Sequence, residues 1–213
     1  MLRLSWNMTT IYLIRHSEKL KKGIIQNNDF ELDTKAMTLT VEGERLAKEL
    51  SDIPELSKVE KIYSSPYARS VATAKYLAAK LNLDIYLDSR LEEIKTGKKT
   101  MDNKTFNYLR EHDFDFKLED GESFYDVQKR MTEVFHEICE SNQNKTIAIF
   151  SHHFALFILL MNFCEIRYIE DQLTLCYRDL NITLKWASPD IYKLEIEQDN
   201  IIDLEHVVYG KSD

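Results

Sequence analysis

A chain of 213 residues, 44% hydrophobic and 30% charged, is long enough to bury a substantial core and too apolar to be disordered. Its formal charge of −8 argues against nucleic acid or an anionic membrane as a partner. An anionic substrate must then be held by a local cationic pocket, which distant charge does not oppose because screening limits its reach to about 8 Å at physiological salt.

With 5 Gly and 3 Pro there is little room for long linkers, and no repeat or low-complexity tract is present. Cys139, Cys164 and Cys176 are odd in number and lack CxxC spacing, so they read as core thiols of a reducing cytoplasm, with neither a disulfide framework nor a zinc site. Met1–Met8 is short and mixed, without a signal h-region, and Met8 is a candidate start. Ile147–Phe163 is the most apolar stretch, but Ser151, His152 and His153 interrupt it, so no membrane span is expected.

Taken in order, Ile11-Tyr12-Leu13-Ile14 reads as a strand buried on both faces, with Arg15-His16 where it leaves the sheet. Lys19–Met37 is polar and predicted to be a loop. A helix follows from about Val41 to Leu50, capped by Thr40, with Gly43 on its apolar face allowing close approach. Lys61-Ile62-Tyr63 is a second strand. It runs into a helix with Ser65 as N-cap and Pro66 at the first position, placing Arg69 near a helix start that favours anions.

Leu83–Leu87 is a further short strand. Lys95–Gly121 is polar and reads either as a helical insertion or, for Lys95, Lys98, Lys99 and Lys104, as a solvated face. Gly121-Glu122-Ser123 opens a long amphipathic helix carrying Phe124, Val127, Met131, Val134, Phe135 and Ile138 inward. Lys145–Phe150 is a buried strand that delivers Ser151-His152-His153, and Phe154–Phe163 is a helix covered nearly all round. Asn181–Trp186 and Ile191–Glu197 are expected to be final strands, antiparallel to each other. Strands alternating with helices predict one domain over residues 8–208, a three-layer α/β/α sandwich with a mostly parallel central sheet.

Parallel strands put their carboxyl ends on one side of a sheet, where ligands bind. Arg15-His16, the Ser65-Pro66…Arg69 helix start and His152 all sit at such exits. Two arginines, two histidines and a helix N-terminus around one point describe a phosphoryl site. A His152-His153 metal pair finds no carboxylate or cysteine at matching spacing.

This set resembles the histidine phosphatase superfamily, also called phosphoglycerate mutase-like. The matching pieces are Leu13-Ile14-Arg15-His16, Leu39-Thr40…Gly43, Tyr63-Ser64-Ser65-Pro66…Arg69-Ser70…Thr73-Ala74, Arg90-Leu91-Glu92-Glu93-Ile94, Gly121-Glu122-Ser123 and Ile149-Phe150-Ser151-His152, in family order from Thr10 to about Trp186.

The resemblance implies that His16 attacks phosphorus and carries a phosphohistidine, its other ring nitrogen donating to a backbone carbonyl. Arg15, Arg69 and His152 would surround the phosphoryl oxygens, and Glu93 would be the general acid and base. Glu92 is adjacent and chemically equal; the family pattern places the acid just before Ile94, which selects Glu93. No metal or other cofactor is implied. His153 stands where the family has glycine and reads as rim or packing, while His112, His136 and His206 read as structural. Ser17 replaces a small residue after the histidine, and Lys19 and Lys22 replace a threonine and an asparagine.

A metal-independent phosphomonoesterase acting on a small phosphorylated metabolite is the leading expectation. A phosphomutase, a phosphoprotein or phosphohistidine phosphatase, and a non-catalytic phospho-ligand module are the alternatives. His16 and Glu93 argue against the last, since a binding module needs neither. No oligomeric state is implied.

Overall fold

The computed structural model describes residues 8–20, 34–98, 100–198 and 200–208. Lys22, Lys99 and residues 21–33 of the polar segment lie outside them. The expected strands and helices form in chain order: β1 Met8–Arg15, α1 Val41–Ser51, β2 Lys61–Ser64, α2 Ala68–Leu81, β3 Ile85–Leu87, α3 Asn103–His112, α4 Phe124–Ser141, β4 Thr146–Ser151 and α5 His153–Leu160. Five further strands follow: β5 Glu165–Ile169, β6 Gln172–Tyr177, β7 Leu180–Thr183, β8 Asp190–Glu197 and, completing the main sheet, β9 Asn200–His206.

The central sheet runs β3-β2-β4-β1-β8-β9. Its β3, β2, β4 and β1 are mutually parallel, and β8 and β9 add an antiparallel edge. The period-2 geometry of a strand explains why the apolar runs are continuous. Ile11 and Leu13 of β1, with Ile147 and Ile149 of β4, pack on one face against α4 and α5. Tyr12, Ile14, Ala148 and Phe150 face the opposite way, into the layer made by α1 and α2. Each central strand is therefore buried twice, as expected for an α/β sheet covered on both sides.

Local signals set the helix starts. Thr40 Oγ1 accepts from Gly43 N at 2.8 Å, and Ser123 and Asp126 form a reciprocal capping box at the head of α4. The start of α2 differs from the expectation. Its first helical residue is Ala68 with Tyr67 at the N-cap; Ser65 and Pro66 precede the helix, and the Ser65 hydroxyl accepts from Tyr67 N and meets His152 Nε2.

The last two expected strands exist but do not pair with each other. Leu180–Thr183 joins β5 and β6 in a separate three-stranded antiparallel sheet, whereas Asp190–Glu197 lies between β1 and β9. Left-handed turn residues mark these hairpins: Glu170 and Asp171 (φ +50° and +61°), Arg178 (+51°) and Gln198 (+47°). None is a glycine, so the usual turn signature is missing from the sequence. Within residues 95–121 both readings hold a part: α3 forms, capped by Asp102, and Lys95, Lys98 and Lys104 are exposed.

Candidate active site

Register places the strand exits side by side. Arg15 at the end of β1 faces Ser151 at the end of β4, and Ser64 at the end of β2 faces Phe150. The antiparallel β8 starts at the same edge, with Asp190 opposite Arg15, and this brings Trp186, Ala187 and Ser188 to the site.

His16 is buried, and its Nδ1 lies 2.7 Å from the carbonyl oxygen of Ser17. A carbonyl only accepts, so Nδ1 carries the proton and Nε2 keeps its lone pair. Arg69 Nε donates to that lone pair at 3.0 Å. Burial, followed by the Arg69 charge, pushes the His16 imidazolium down to about 3, so the ring is neutral at ordinary pH.

Ser17 N donates to Thr73 Oγ1 at 2.9 Å, while the Ser17 hydroxyl donates to Gly43 O at 2.7 Å. The hydroxyl that distinguishes this chain after its histidine is thus spent on α1.

Arg69, in the first turn of α2, also donates through Nη1 to Thr34 O at 2.8 Å and through Nη2 to His152 Nδ1 at 3.1 Å. Guanidinium has no acceptor, so His152 Nδ1 is unprotonated and its Nε2–H donates to Ser65 Oγ at 2.8 Å. The His16 and His152 rings meet edge to face at 5.1 Å, and complete burial holds His152 neutral. Arg15 donates through Nη1 to Trp186 O (2.6 Å) and Ala187 O (2.9 Å). Arg15, His16, Arg69 and His152 are therefore gathered at one sheet edge, although Arg15 is anchored on the β8 side.

The two adjacent glutamates part company. Glu92 is buried against Lys35, with both carboxylate oxygens within 3.0 Å of Nζ. Glu93 accepts from the first turn of α5, at 3.0 Å from Ala155 N and 3.3 Å from Phe154 N, as a helix N-terminus favours. Its negative charge favours the charged forms of Arg15, Arg69 and Arg110. Arg130 of α4 holds the segment in place, bonding Arg90 O and Glu92 O at 2.7 and 2.9 Å while its other nitrogens grip Glu122.

Ser65 and Trp186 have no place among the expected site residues. The Ser65 hydroxyl is hidden in the sequence behind its capping role; Trp186 reaches the site only through the antiparallel placement of β8. His153 packs beside Trp186 and Phe154, at 5.7 and 4.8 Å between rings. His112 stacks between Tyr108 and Tyr168, and His206 Nε2 lies 2.6 Å from Asp190 Oδ1. Among the described residues no group of three or more His, Cys, Asp or Glu side chains is placed to hold a metal ion.

Comparison with known proteins shows the family and the fold. The family model described as "Histidine phosphatase superfamily (branch 1)" matches residues 11–178. A probable phosphoglycerate mutase, GpmB, of Salmonella arizonae is 27% identical over 163 residues, covering 70% of this chain and 72% of that protein. Phosphoserine phosphatase 1 of Hydrogenobacter thermophilus is 26% identical over 154 residues, covering 68% and 71%. Among solved structures, Bacillus stearothermophilus YhfR superposes with a TM-score of 0.65 at 23% identity, covering 91% of this chain and 94% of that one. A mycobacterial glucosyl-3-phosphoglycerate phosphatase gives 0.68 at 16% identity, covering 96% and 100%.

Proposed function

The chain belongs to the histidine phosphatase superfamily, and on that premise we propose that it is a metal-independent phosphomonoesterase working through a phosphohistidine on His16. The observation that carries the proposal is the pair of bonds on one imidazole: Nδ1 held by the Ser17 carbonyl and Nε2 left with a lone pair toward Arg69.

In the proposed reaction, Nε2 attacks phosphorus, the P–O bond to the leaving group breaks, and the leaving oxygen takes a proton from Glu93. Water then attacks the phosphoryl group, giving its proton to the Glu93 carboxylate, and the P–N bond breaks to return imidazole and free phosphate. The Arg69 donors that face the two histidines are the ones an incoming phosphoryl group would draw onto its oxygens, together with Arg15 and His152. The two guanidinium charges, with neutral His152 beside them, would offset a charge of about −1.5 to −2 without a metal.

Relatives named for phosphoserine and glucosyl-3-phosphoglycerate point to small phosphorylated metabolites as the substrate class. The test is phosphate release from an aryl phosphate in the presence of a chelator. We expect turnover that His16→Ala lowers by roughly a thousandfold or more while the fold persists. Dependence on added metal, or an unaffected variant, would overturn the reading.

The similarity to a probable phosphoglycerate mutase supports a second reading, a phosphomutase that returns the phosphoryl group to substrate. Label exchange between phosphoglycerates with little free phosphate would select it.

A further inference from the structure

Two adjacent N–H groups on one edge of the Arg69 guanidinium point at His16 Nε2 (3.0 Å, from Nε) and His152 Nδ1 (3.1 Å, from Nη2). Such an edge is a fork suited to two oxygens of a phosphoryl group. In the structure it meets two lone pairs. For His16 the lone pair is what the proposed reaction needs, because it is to meet phosphorus. For His152 it is the wrong group. Once the Arg69 edge turns to the phosphoryl oxygens, a lone pair on Nδ1 would face an oxyanion, and only an N–H there can bond to it.

His152 can present that N–H by taking a second proton or by moving the one it has. Complete burial, with His16 and Arg69 beside the ring, holds its pKa well below the ordinary 6.5, which opposes the second proton. Moving the proton leaves Nε2 bare, and the partner of Nε2 is the Ser65 hydroxyl at 2.8 Å. A bare buried nitrogen is costly unless that partner can donate. A hydroxyl accepts or donates by turning about its Cβ–Oγ bond, which a carbonyl or an amide N–H cannot do.

Ser65 is built for both roles. Its backbone N–H donates to Phe150 O at 2.9 Å and its carbonyl takes the Ser64 hydroxyl at 2.8 Å, so Oγ is fixed beside the end of β4 that delivers His152. Oγ accepts from Tyr67 N at 3.3 Å as well as from His152, and no hydrogen bond donated by it is present among the described residues. Its proton is therefore available to turn toward the ring. The Tyr67 ring meets His152 edge to face at 4.8 Å and fixes the plane of the imidazole. Both His152 and Ser65 are fully buried, so the hydroxyl takes the place that water takes at a surface histidine.

We propose that Ser65 is the positioning residue that lets His152 exchange tautomers: Nε2–H donates to Ser65 in the structure, and with a phosphoryl group in place Ser65 donates to Nε2 while Nδ1–H donates to a phosphoryl oxygen. One proton leaves Nε2 for water and one arrives at Nδ1 from water as the ligand enters, so the ring's charge does not change. The chain of donors then runs from Ser65 through the ring to the anion, and each bond polarises the next. The role rests on the phosphomonoesterase reading for the place of the phosphoryl group, but inorganic phosphate alone is enough to drive it.

The experiment is NMR of the ring nitrogens in the histidine-labelled chain, without and with saturating inorganic phosphate. Bare and protonated ring nitrogens give well-separated shifts, and His16→Asn and His152→Asn identify the signals. We expect His152 to carry its proton on Nε2 without phosphate and on Nδ1 with it. Protonation of both nitrogens with phosphate, or an unchanged His152 while the His16 signals move, overturns the exchange and leaves the phosphoryl site standing. No response at either ring removes the phosphoryl site itself, and the exchange with it.

Ser65→Ala tests the serine. It should weaken competitive inhibition by phosphate and raise KM for an aryl phosphate by about fivefold, the size of one hydrogen bond, with kcat changed less because the contact exists in both ground and transition states. Ser65→Thr, which keeps a hydroxyl, should restore both. Unchanged phosphate affinity in a folded Ser65→Ala overturns the role of Ser65; if that variant does not fold, the wild-type spectra and those of Ser65→Thr still decide.

Discussion

The two nitrogens of His16 are made unequal by a single backbone carbonyl, and the same economy separates Glu92 from Glu93. Chemically the two glutamates are identical and they are neighbours in the chain. Lys35 takes the first; the second accepts from the first turn of α5, and its charge acts on three arginines. Glu93→Gln is therefore expected to slow hydrolysis of alkyl phosphates by about a hundredfold and of aryl phosphates with good leaving groups far less, because only poor leaving groups need the proton. The same selective loss in Glu92→Gln, with Glu93→Gln unaffected, would move the acid role to the neighbour.

Residues at strand exits were readable because a short apolar run followed by Arg-His or Ser-His is a local pattern. Arg110 was not, since nothing between Lys95 and Gly121 announces that a helical arginine will lie over Phe154, far along the chain.

At the scale of elements, α1 is pinned to the chain just after β1 more tightly than any propensity requires. Thr40 N donates to Glu18 O, Ser17 Oγ donates to Gly43 O, and a Cβ placed on Gly43 would sit 2.1 Å from Glu18 O. This contact fixes the backbone whose Ser17 carbonyl orients His16. Gly43→Ala should accordingly lower stability by roughly 2 kcal/mol or more, since backbone must move, and should lower kcat along with it. A stable, fully active Gly43→Ala would show that the close approach is relaxed easily and that His16 does not depend on it.

The helix start at Thr40 was legible from capping chemistry, α4 from the helical spacing of its apolar residues after Gly121-Glu122-Ser123, and β1, β2 and β4 from their apolar runs. The pairing of β7 and β8 was not. Both alternate apolar and polar residues, and which strand each joins is decided by distant partners across the sheet. Non-glycine turns at Arg178 and Gln198 removed the one local clue.

For the whole molecule, neutral buried histidines tie the fold to pH. His16 and His153 are held down to about 3 and about 4 from an ordinary 6.5, and His152 well below it, each first by burial. Between pH 6.5 and those values the unfolded chain binds protons that the folded chain refuses, so stability falls as pH falls through this window. Each refused proton contributes on the order of 1 kcal/mol per pH unit. His206, raised by its bond to Asp190, works the other way, adding stability below its ordinary range that is lost as pH rises through the raised value. Three groups outweigh one, so Tm should drop between pH 7 and pH 5, and His16→Asn should flatten the slope. A Tm constant over that range would mean that these rings take up protons in the folded state.

A net charge of −8 around a cationic pocket is compatible with this design because the arginines act at contact distance, whereas the surface carboxylates are screened. The account as a whole is tested most directly by mixing the Glu93→Gln variant with a reactive aryl phosphate, quenching in alkali, where phosphohistidine survives, and locating the phosphoryl group by mass spectrometry of the peptides. We predict one phosphoryl group on His16, accumulating as the aryl alcohol is released. Release of the alcohol with His16 unmodified, or with the phosphoryl group on another residue, would contradict it.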